Sequence, residues 1–132
     1  MPQSIDTFGV IGLGKMGADL ALNALGKSFR VAGFDTHAPS DELTSAGIKI
    51  TSDISALVRQ LPRPRLVMLY VPAGKAVDEV LAQLTGQLEA GDIIADGGNS
   101  YWGDSIRRHA RLKDKGLHFI DLGTSGGPSG AR

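Results

Sequence analysis

The chain has 132 residues, enough for one domain, and its 14 basic and 14 acidic residues give a formal net charge of zero. This charge balance gives no indication of binding to nucleic acid or to a membrane surface, and we expect neither partner. The absence of cysteine excludes disulfides and thiolate metal sites. A chain without cysteine is compatible with the cytoplasm, where we expect the protein. The N-terminal residues lack the pattern of a signal peptide.

Apolar runs and helical repeats alternate along the chain. The predicted strands cover residues 8–12, 29–35, 48–50, 65–71, 92–96 and 117–122. The predicted helices cover residues 15–27, 39–47, 53–61, 75–84 and 103–115. Either Thr51 or Ser52 is expected to cap the third helix. This alternation predicts an α/β fold, a doubly wound and mainly parallel sheet with helices on both faces.

Glycine-rich segments follow three of the predicted strands. "GLGKMG" comes after the first strand, "DGGNS" after the fifth and "GTSGGPSG" after the sixth. Ligands of doubly wound sheets bind at the carboxyl ends of the strands, where all three segments are expected to lie. The sequence therefore predicts a ligand site at that edge of the sheet.

The first of these segments has the spacing G-x-G-x-x-G, with glycines at Gly12, Gly14 and Gly17. A strand precedes it and a helix follows, which is the context of a dinucleotide-binding loop. Gly12 would allow a tight turn, Gly14 a close approach of the pyrophosphate, and Gly17 close packing of helix on strand. The helix N-terminus would attract the phosphates. We therefore expect a Rossmann-type dinucleotide-binding domain over residues 1–132, although a plain strand–helix turn would give the same spacing.

Asp35 ends the second predicted strand, 18 residues after Gly17. Its carboxylate can accept hydrogen bonds from the adenosine ribose hydroxyls, and it would repel the 2′-phosphate of NADP as a like charge. No arginine follows it, since the next residues are Thr36 and His37. We therefore expect NAD to be preferred over NADP. The alternative is an aspartate that only starts a turn.

The motifs "GLGKMG", "VPAG" at residues 71–74, "DGGNSYWGDSIRR" and "GTSGGPSGAR" together resemble the N-terminal part of 6-phosphogluconate dehydrogenases, within the β-hydroxyacid dehydrogenase superfamily. The resemblance covers nearly the whole chain, and the last two motifs are the specific ones. NADP-linked members typically have Asn-Arg-Thr where this chain has Asp35, Thr36 and His37, and Val-Lys-Ala-Gly where it has "VPAG". Both departures suggest the NAD-linked branch.

The resemblance implies which residues bind the cofactor and the substrate. Backbone and side chains of Leu13, Lys15 and Met16 would line the cofactor phosphates, and Val71, Pro72 and Ala73 would pack near the nicotinamide. Asn99 would lie between the nicotinamide and the sugar acid, where its amide can donate and accept. The segment Ser125, Gly126 and Gly127 would bind 6-phosphogluconate. A plainer interpretation of Asn99 or Ser100 is that it caps the next helix.

The resemblance also implies what lies outside the chain. The general base and acid of the family follow the sixth strand, so we expect no catalytic residue within residues 1–132. The family's helical C-terminal domain, through which its dimers largely form, is also expected outside, and the full-length enzyme is expected to be a homo-oligomer. The expected activity is oxidative decarboxylation of 6-phosphogluconate to ribulose 5-phosphate, by an enzyme of which this chain alone is inactive.

Other functions remain open at this point. Another β-hydroxyacid dehydrogenase, acting on 3-hydroxyisobutyrate or tartronate semialdehyde, would share the first loop. A non-catalytic NAD-binding module is a second alternative, and a methyltransferase that binds S-adenosylmethionine is a third. No metal is expected, because His37, His109 and His118 lack ligand spacing. The basic run "RRHARLKDK" is expected to be a solvated helix face.

Overall fold

The computed structural model describes residues 6–36, 41–71, 74–97 and 102–121. The strands are β1 (Thr7–Ile11), β2 (Arg30–Phe34), β3 (Lys49–Ile50), β4 (Leu66–Leu69), β5 (Ile93–Asp96) and β6 (His118–Asp121). The helices are α1 (Lys15–Gly26), α2 (Asp41–Ala46), α3 (Ile54–Arg59), α4 (Lys75–Thr85) and α5 (Trp102–Lys113). All eleven elements have the predicted order and type, and no end differs from the prediction by more than two residues. No helix in the described ranges is long and apolar enough to cross a membrane.

The six strands form one sheet in the order β3-β2-β1-β4-β5-β6, and every neighbouring pair is parallel. The chain builds one half of the sheet outward from β1 and then returns to build the other half from β4. The carboxyl ends of β1 and β4 therefore border the crevice at which ligands of such sheets bind. The predicted doubly wound parallel sheet is confirmed.

Apolar side chains alternate between the two faces of the sheet, as the strand repeat of two residues requires. On β4, Val67 and Leu69 are fully buried and belong to a core cluster that includes leucines of α3, α4 and α5. Met68 between them belongs to a second cluster, which contains apolar residues of α1 and α2. Helices therefore cover both faces of the sheet, which confirms the prediction and explains why β4 is apolar throughout.

The N-cap of α3 is Asp53, so the prediction of Thr51 or Ser52 was wrong. The carboxylate Oδ1 of Asp53 accepts a hydrogen bond of 2.7 Å from the backbone N–H of Ala56, three residues later. This spacing is the one that a capping side chain needs, and Thr51 lies too far before the first turn. Instead, the hydroxyl of Thr51 donates to the carbonyl oxygen of Gly33 at 3.3 Å and thereby links this segment to β2.

The edge of the sheet opposite the crevice is stabilised by Asp92, whose side chain is fully buried. Its carboxylate accepts hydrogen bonds from the backbone N–H groups of Arg65 at 2.7 Å and Glu89 at 2.8 Å. The guanidinium of Arg65 adds a contact of 3.2 Å. A buried carboxylate needs such donors. Asp92 thus joins the amino ends of β4 and β5 and has a structural role.

Candidate functional site

The glycine-rich loop joins β1 to α1 at the crevice between β1 and β4. Gly12 has a φ of 96°, and a Cβ atom there would collide with the carbonyl oxygen of Tyr70. A Cβ atom on Gly17 would collide with the carbonyl oxygen of Gly12. Both collisions involve backbone, which cannot move aside. Backbone packing therefore requires glycine at these two positions, in agreement with the predicted tight turn and close helix–strand contact.

The loop is open at Gly14, the N-cap of α1. A Cβ atom on Gly14 would meet no other atom within 4 Å, and no side chain caps the helix. The first turn of α1 contains no acidic residue, and Lys15 and Met16 are exposed there. The N–H groups of the first helical turn have no partner within the helix, and the helix dipole is positive at this end. This arrangement favours an anion such as a phosphate beside Gly14.

Asp35 follows β2 and is fixed against the glycine-rich loop. Its carboxylate Oδ2 accepts a hydrogen bond of 2.6 Å from the backbone N–H of Leu13. The side chain of Leu13 is only 8% exposed and packs in the core with α1 and α2. In this structure, therefore, Leu13 orients Asp35 through its amide. The predicted contact of Leu13 with phosphate stays a prediction.

A cavity of about 670 Å³ lies over the glycine-rich loop, in the size range of small-molecule and cofactor sites. The structure brings seven of the predicted cofactor-binding residues together in its lining, namely Gly12, Gly14, Lys15, Met16, Gly17, Asp35 and Val71. Pro72, Ala73, Asn99, Ser125, Gly126 and Gly127 lie outside the described residues. Over the described ranges, no group of three or more acidic, histidine or cysteine side chains could hold a metal ion.

The sequence prediction missed several residues that line this cavity. Phe34 and Tyr70 contribute aromatic rings at the ends of β2 and β4, and Val80 contributes an aliphatic wall from α4. Phe34 directly precedes Asp35, and Tyr70 directly precedes Val71. The positions of Phe34 and Tyr70 at the carboxyl ends of their strands could therefore have been predicted from the sequence. No local signal distinguished Val80 from the other apolar residues of its helix.

Tyr70 lies between two glycine segments. Its ring is so close to Gly97 that a Cβ atom on Gly97 would be 2.5 Å from Cε1 and 2.7 Å from the hydroxyl oxygen. Burial raises the pKa of the Tyr70 phenol above its usual 10.0, and the nearby carboxylate of Asp96 raises it further. Gly97, in the "DGGNS" segment, therefore has no room for a side chain, since the ring of Tyr70 occupies the adjacent space.

Arg108 of α5 is fully buried, so the prediction of a solvated face for its basic run was wrong at this position. Its Nε donates to Asp78 Oδ1 at 2.9 Å, and its Nη2 donates to the carbonyl oxygen of Gly74 at 3.2 Å. The hydrogen bond from Arg108 is the main cause that lowers the pKa of Asp78, with smaller contributions from Arg107 and Arg111. Arg108 thus joins α5 to the start of α4, where the loop after β4 ends.

The chain is similar to known proteins over nearly its whole length. A family model of the NAD binding domain of 6-phosphogluconate dehydrogenase matches residues 7–132. The chain is 44% identical over 131 residues to 6-phosphogluconate dehydrogenase, decarboxylating 1, of Saccharomyces cerevisiae. It is 40% identical over 131 residues to the NAD(+)-dependent, decarboxylating 6-phosphogluconate dehydrogenase of Bacillus subtilis. These alignments cover 95% and 96% of the chain.

Two solved structures have a similar fold. The 6-phosphogluconate dehydrogenase of Plasmodium falciparum gives a TM-score of 0.80 at 34% identity over 96% of this chain. The 3-hydroxyisobutyrate dehydrogenase of Mycobacterium tuberculosis gives a TM-score of 0.81 at 24% identity over 94% of this chain. This second likeness shows the fold alone. The chain spans 27% of the yeast protein, 28% of the Bacillus subtilis enzyme and 28% of the Plasmodium chain.

Proposed function

Because the chain belongs to the family of NAD binding domains of 6-phosphogluconate dehydrogenase, we propose that it is the cofactor-binding part of an enzyme that oxidatively decarboxylates 6-phosphogluconate to ribulose 5-phosphate. The observation that carries this proposal is the hydrogen bond from Leu13 to Asp35, which places a carboxylate beside the open N-terminus of α1 in one cavity. A dinucleotide needs both features, one for ribose and one for phosphate.

The residues present fit NAD. A bound NAD supplies the acceptor for the hydride that the substrate alcohol loses. Gly14 leaves the space that a pyrophosphate needs, and the first turn of α1 offers N–H donors. A carboxylate accepts about four hydrogen bonds, so ribose hydroxyls can donate to Asp35 in addition to the backbone N–H of Leu13 and the hydroxyl of Thr36. Phe34 and Val80 contribute apolar surface to the same cavity.

We propose NAD as the preferred cofactor because of the charge on Asp35. A 2′-phosphate in place of the ribose hydroxyl would lie about 4 Å from this carboxylate, and at an effective dielectric near 20 the repulsion amounts to a few kcal/mol. Each 1.4 kcal/mol corresponds to about tenfold in affinity. The sequence directly after Asp35, residues 36–40, contains no arginine that could neutralise the phosphate.

The substrate is proposed to bind beyond the nicotinamide end of the cavity. Asn99 follows β5 by three residues, and Gly97 before it already contacts Tyr70 of the cavity. An amide at this position can donate to and accept from sugar hydroxyls. We assign Ser125, Gly126 and Gly127 to the same substrate. In the full-length enzyme, Asn99→Ala should lower kcat and leave the melting temperature unchanged; an unchanged kcat would remove Asn99 from the site.

The general base and acid are proposed to lie outside residues 1–132, together with the surfaces that form a homo-oligomer. The relatives support this proposal because the chain spans only 27% to 28% of the yeast and Bacillus subtilis enzymes. The purified 132-residue chain should therefore bind NADH but produce none from NAD and 6-phosphogluconate. Light scattering on the full-length protein tests the homo-oligomer, and cell fractionation tests the proposed cytoplasmic location.

The activity is tested by incubating the full-length protein with NAD and each candidate acid while the absorbance of NADH is followed. We expect turnover with 6-phosphogluconate and formation of carbon dioxide. Turnover with 3-hydroxyisobutyrate in its place would favour the rival dehydrogenase, and no turnover despite NADH binding would favour a non-catalytic module. The relatives of 40% to 46% identity carry the name 6-phosphogluconate dehydrogenase, which favours the first outcome.

A further inference from the structure

Tyr70 occupies the crevice between the two halves of the sheet. Its backbone N–H donates to the carbonyl oxygen of Ile11 at 2.8 Å, which continues the pairing of β4 with β1. Its own carbonyl oxygen lies against Gly12, and its Cβ lies against Gly17. The far end of the ring lies beside Gly97. The side chain is therefore held between the glycine-rich loop and the segment that follows β5.

The hydroxyl of Tyr70 forms no hydrogen bond with any residue that the structure describes, although the half-buried side chain lines the cavity. A half-buried hydroxyl without a partner loses part of its hydration and regains it only by bonding a ligand or a water molecule. Burial raises the pKa of the phenol. The group therefore keeps its proton at neutral pH and is available as a donor.

The order of the strands indicates what this hydroxyl would meet. Asp35 follows β2, the glycine-rich loop follows β1, Tyr70 follows β4 and Gly97 follows β5, and these strands are consecutive in the sheet. Neighbouring strands lie about 4.8 Å apart. A dinucleotide with its adenosine ribose at Asp35 and its pyrophosphate at α1 therefore reaches β4 with its second ribose.

We propose that Tyr70 is a cofactor-contacting residue whose hydroxyl donates a hydrogen bond to the nicotinamide ribose. The proposal rests on the function proposed above, because it requires a dinucleotide in this cavity. It also gives Gly97 a role, since a larger residue there would displace the ring. The contact fixes the ribose beside Gly97, which precedes the proposed substrate-binding residue Asn99 by two positions in the sequence.

The test is Tyr70→Phe in the full-length protein, with NADH and ADP as the two probes of an equilibrium titration. ADP contains the adenosine and both phosphates of the dinucleotide but no nicotinamide ribose. Loss of one neutral hydrogen bond should weaken NADH binding by about 2- to 10-fold and leave ADP binding unchanged. The melting temperature of the protein without ligand should also stay unchanged, because the ring and its packing are retained.

Two control variants locate the effect. Thr85→Val removes a hydroxyl that donates to the carbonyl oxygen of Ala82 at 3.0 Å outside the cavity, and it should alter neither affinity. Asp35→Ala should weaken the binding of both NADH and ADP, since both contain the adenosine ribose. The Tyr70 proposal is overturned if Tyr70→Phe leaves NADH binding unchanged or weakens NADH and ADP equally. If the unmodified protein binds no NADH, the proposed function itself fails.

Discussion

The carboxylate of Asp35 and the backbone N–H of Leu13 form a hydrogen bond of 2.6 Å between two segments that are 22 residues apart in the sequence. The bond joins the end of β2 to the loop between β1 and α1. Because the backbone of Leu13 is fixed by its buried side chain, the direction of the carboxylate is fixed too. A preorganised carboxylate binds ribose without a further loss of side-chain freedom.

Asp35→Asn tests the charge separately from this hydrogen bond. The amide oxygen can still accept from Leu13, so the variant should keep its melting temperature. Removal of the negative charge should shift the ratio of NADPH to NADH affinity towards NADPH by about tenfold or more. Asp114→Asn, at an exposed position just after α5, makes the same charge change outside the cavity and should leave the ratio unchanged. Equal ratios in all three proteins would mean that Asp35 does not select the cofactor.

Gly17→Ala should destabilise the fold, because its Cβ would collide with the carbonyl oxygen of Gly12 and neither backbone can move freely. Such overpacking costs about 1–3 kcal/mol in the free energy of unfolding. Gly26→Ala at the end of the same helix meets no atom within 4 Å and should stabilise by up to about 1 kcal/mol. Urea denaturation measures both values, and a neutral Gly17→Ala would disprove the tight packing of α1 on β1.

The pKa of Asp78 lies below its ordinary 3.8, chiefly because Arg108 donates a hydrogen bond to the carboxylate. A lowered pKa in the folded state stabilises the protein above the unfolded-state pKa, and this contribution disappears as the pH falls through the folded-state value. The original protein should therefore exceed Asp78→Asn in stability at neutral pH and lose that advantage below about pH 4. Urea denaturation over this pH range tests it, and a difference that grows towards low pH would contradict it.

Arg108 and Arg111 provide a matched pair on α5. Arg108 is fully buried and donates to Asp78 and Gly74, whereas the side chain of Arg111 is 54% exposed and lies 3.8 Å from Asp78. Arg108→Met should cost about 1–3 kcal/mol of unfolding free energy, because buried hydrogen bonds to a charged group are lost. Arg111→Met should cost less than about 1 kcal/mol. Equal losses would show that burial of Arg108 has no energetic consequence.

The parts of the site that were predictable are those set by short sequence spacing. The positions of Gly12, Gly14 and Gly17 and the distance to Asp35 depend on one strand–loop–helix–strand unit, and the structure confirms that unit. The alternation of apolar runs with helical repeats likewise predicted the parallel sheet, because strands and helices bury their apolar residues with different fixed periods. What these patterns cannot state is which side chains from distant elements meet.

Arg108 and Asp53 show this limit. Three arginines occur close together on α5, and only the one located four residues before the buried Leu112 shares its inward face. Its carboxylate partner lies 30 residues away on α4, so charge alone suggested a solvated run. At α3, the prediction began the helix at Asp53 and expected its cap at Thr51 or Ser52, whereas the first helical turn starts one residue later and Asp53 itself is the N-cap.

The chain is proposed to bind NAD through Asp35 and the open N-terminus of α1. The most direct test is a fluorescence titration of the purified 132-residue chain with NADH and with NADPH under identical conditions. We expect saturable binding of NADH that is at least about tenfold tighter than binding of NADPH. Absence of NADH binding by the folded chain, or tighter binding of NADPH, would contradict it.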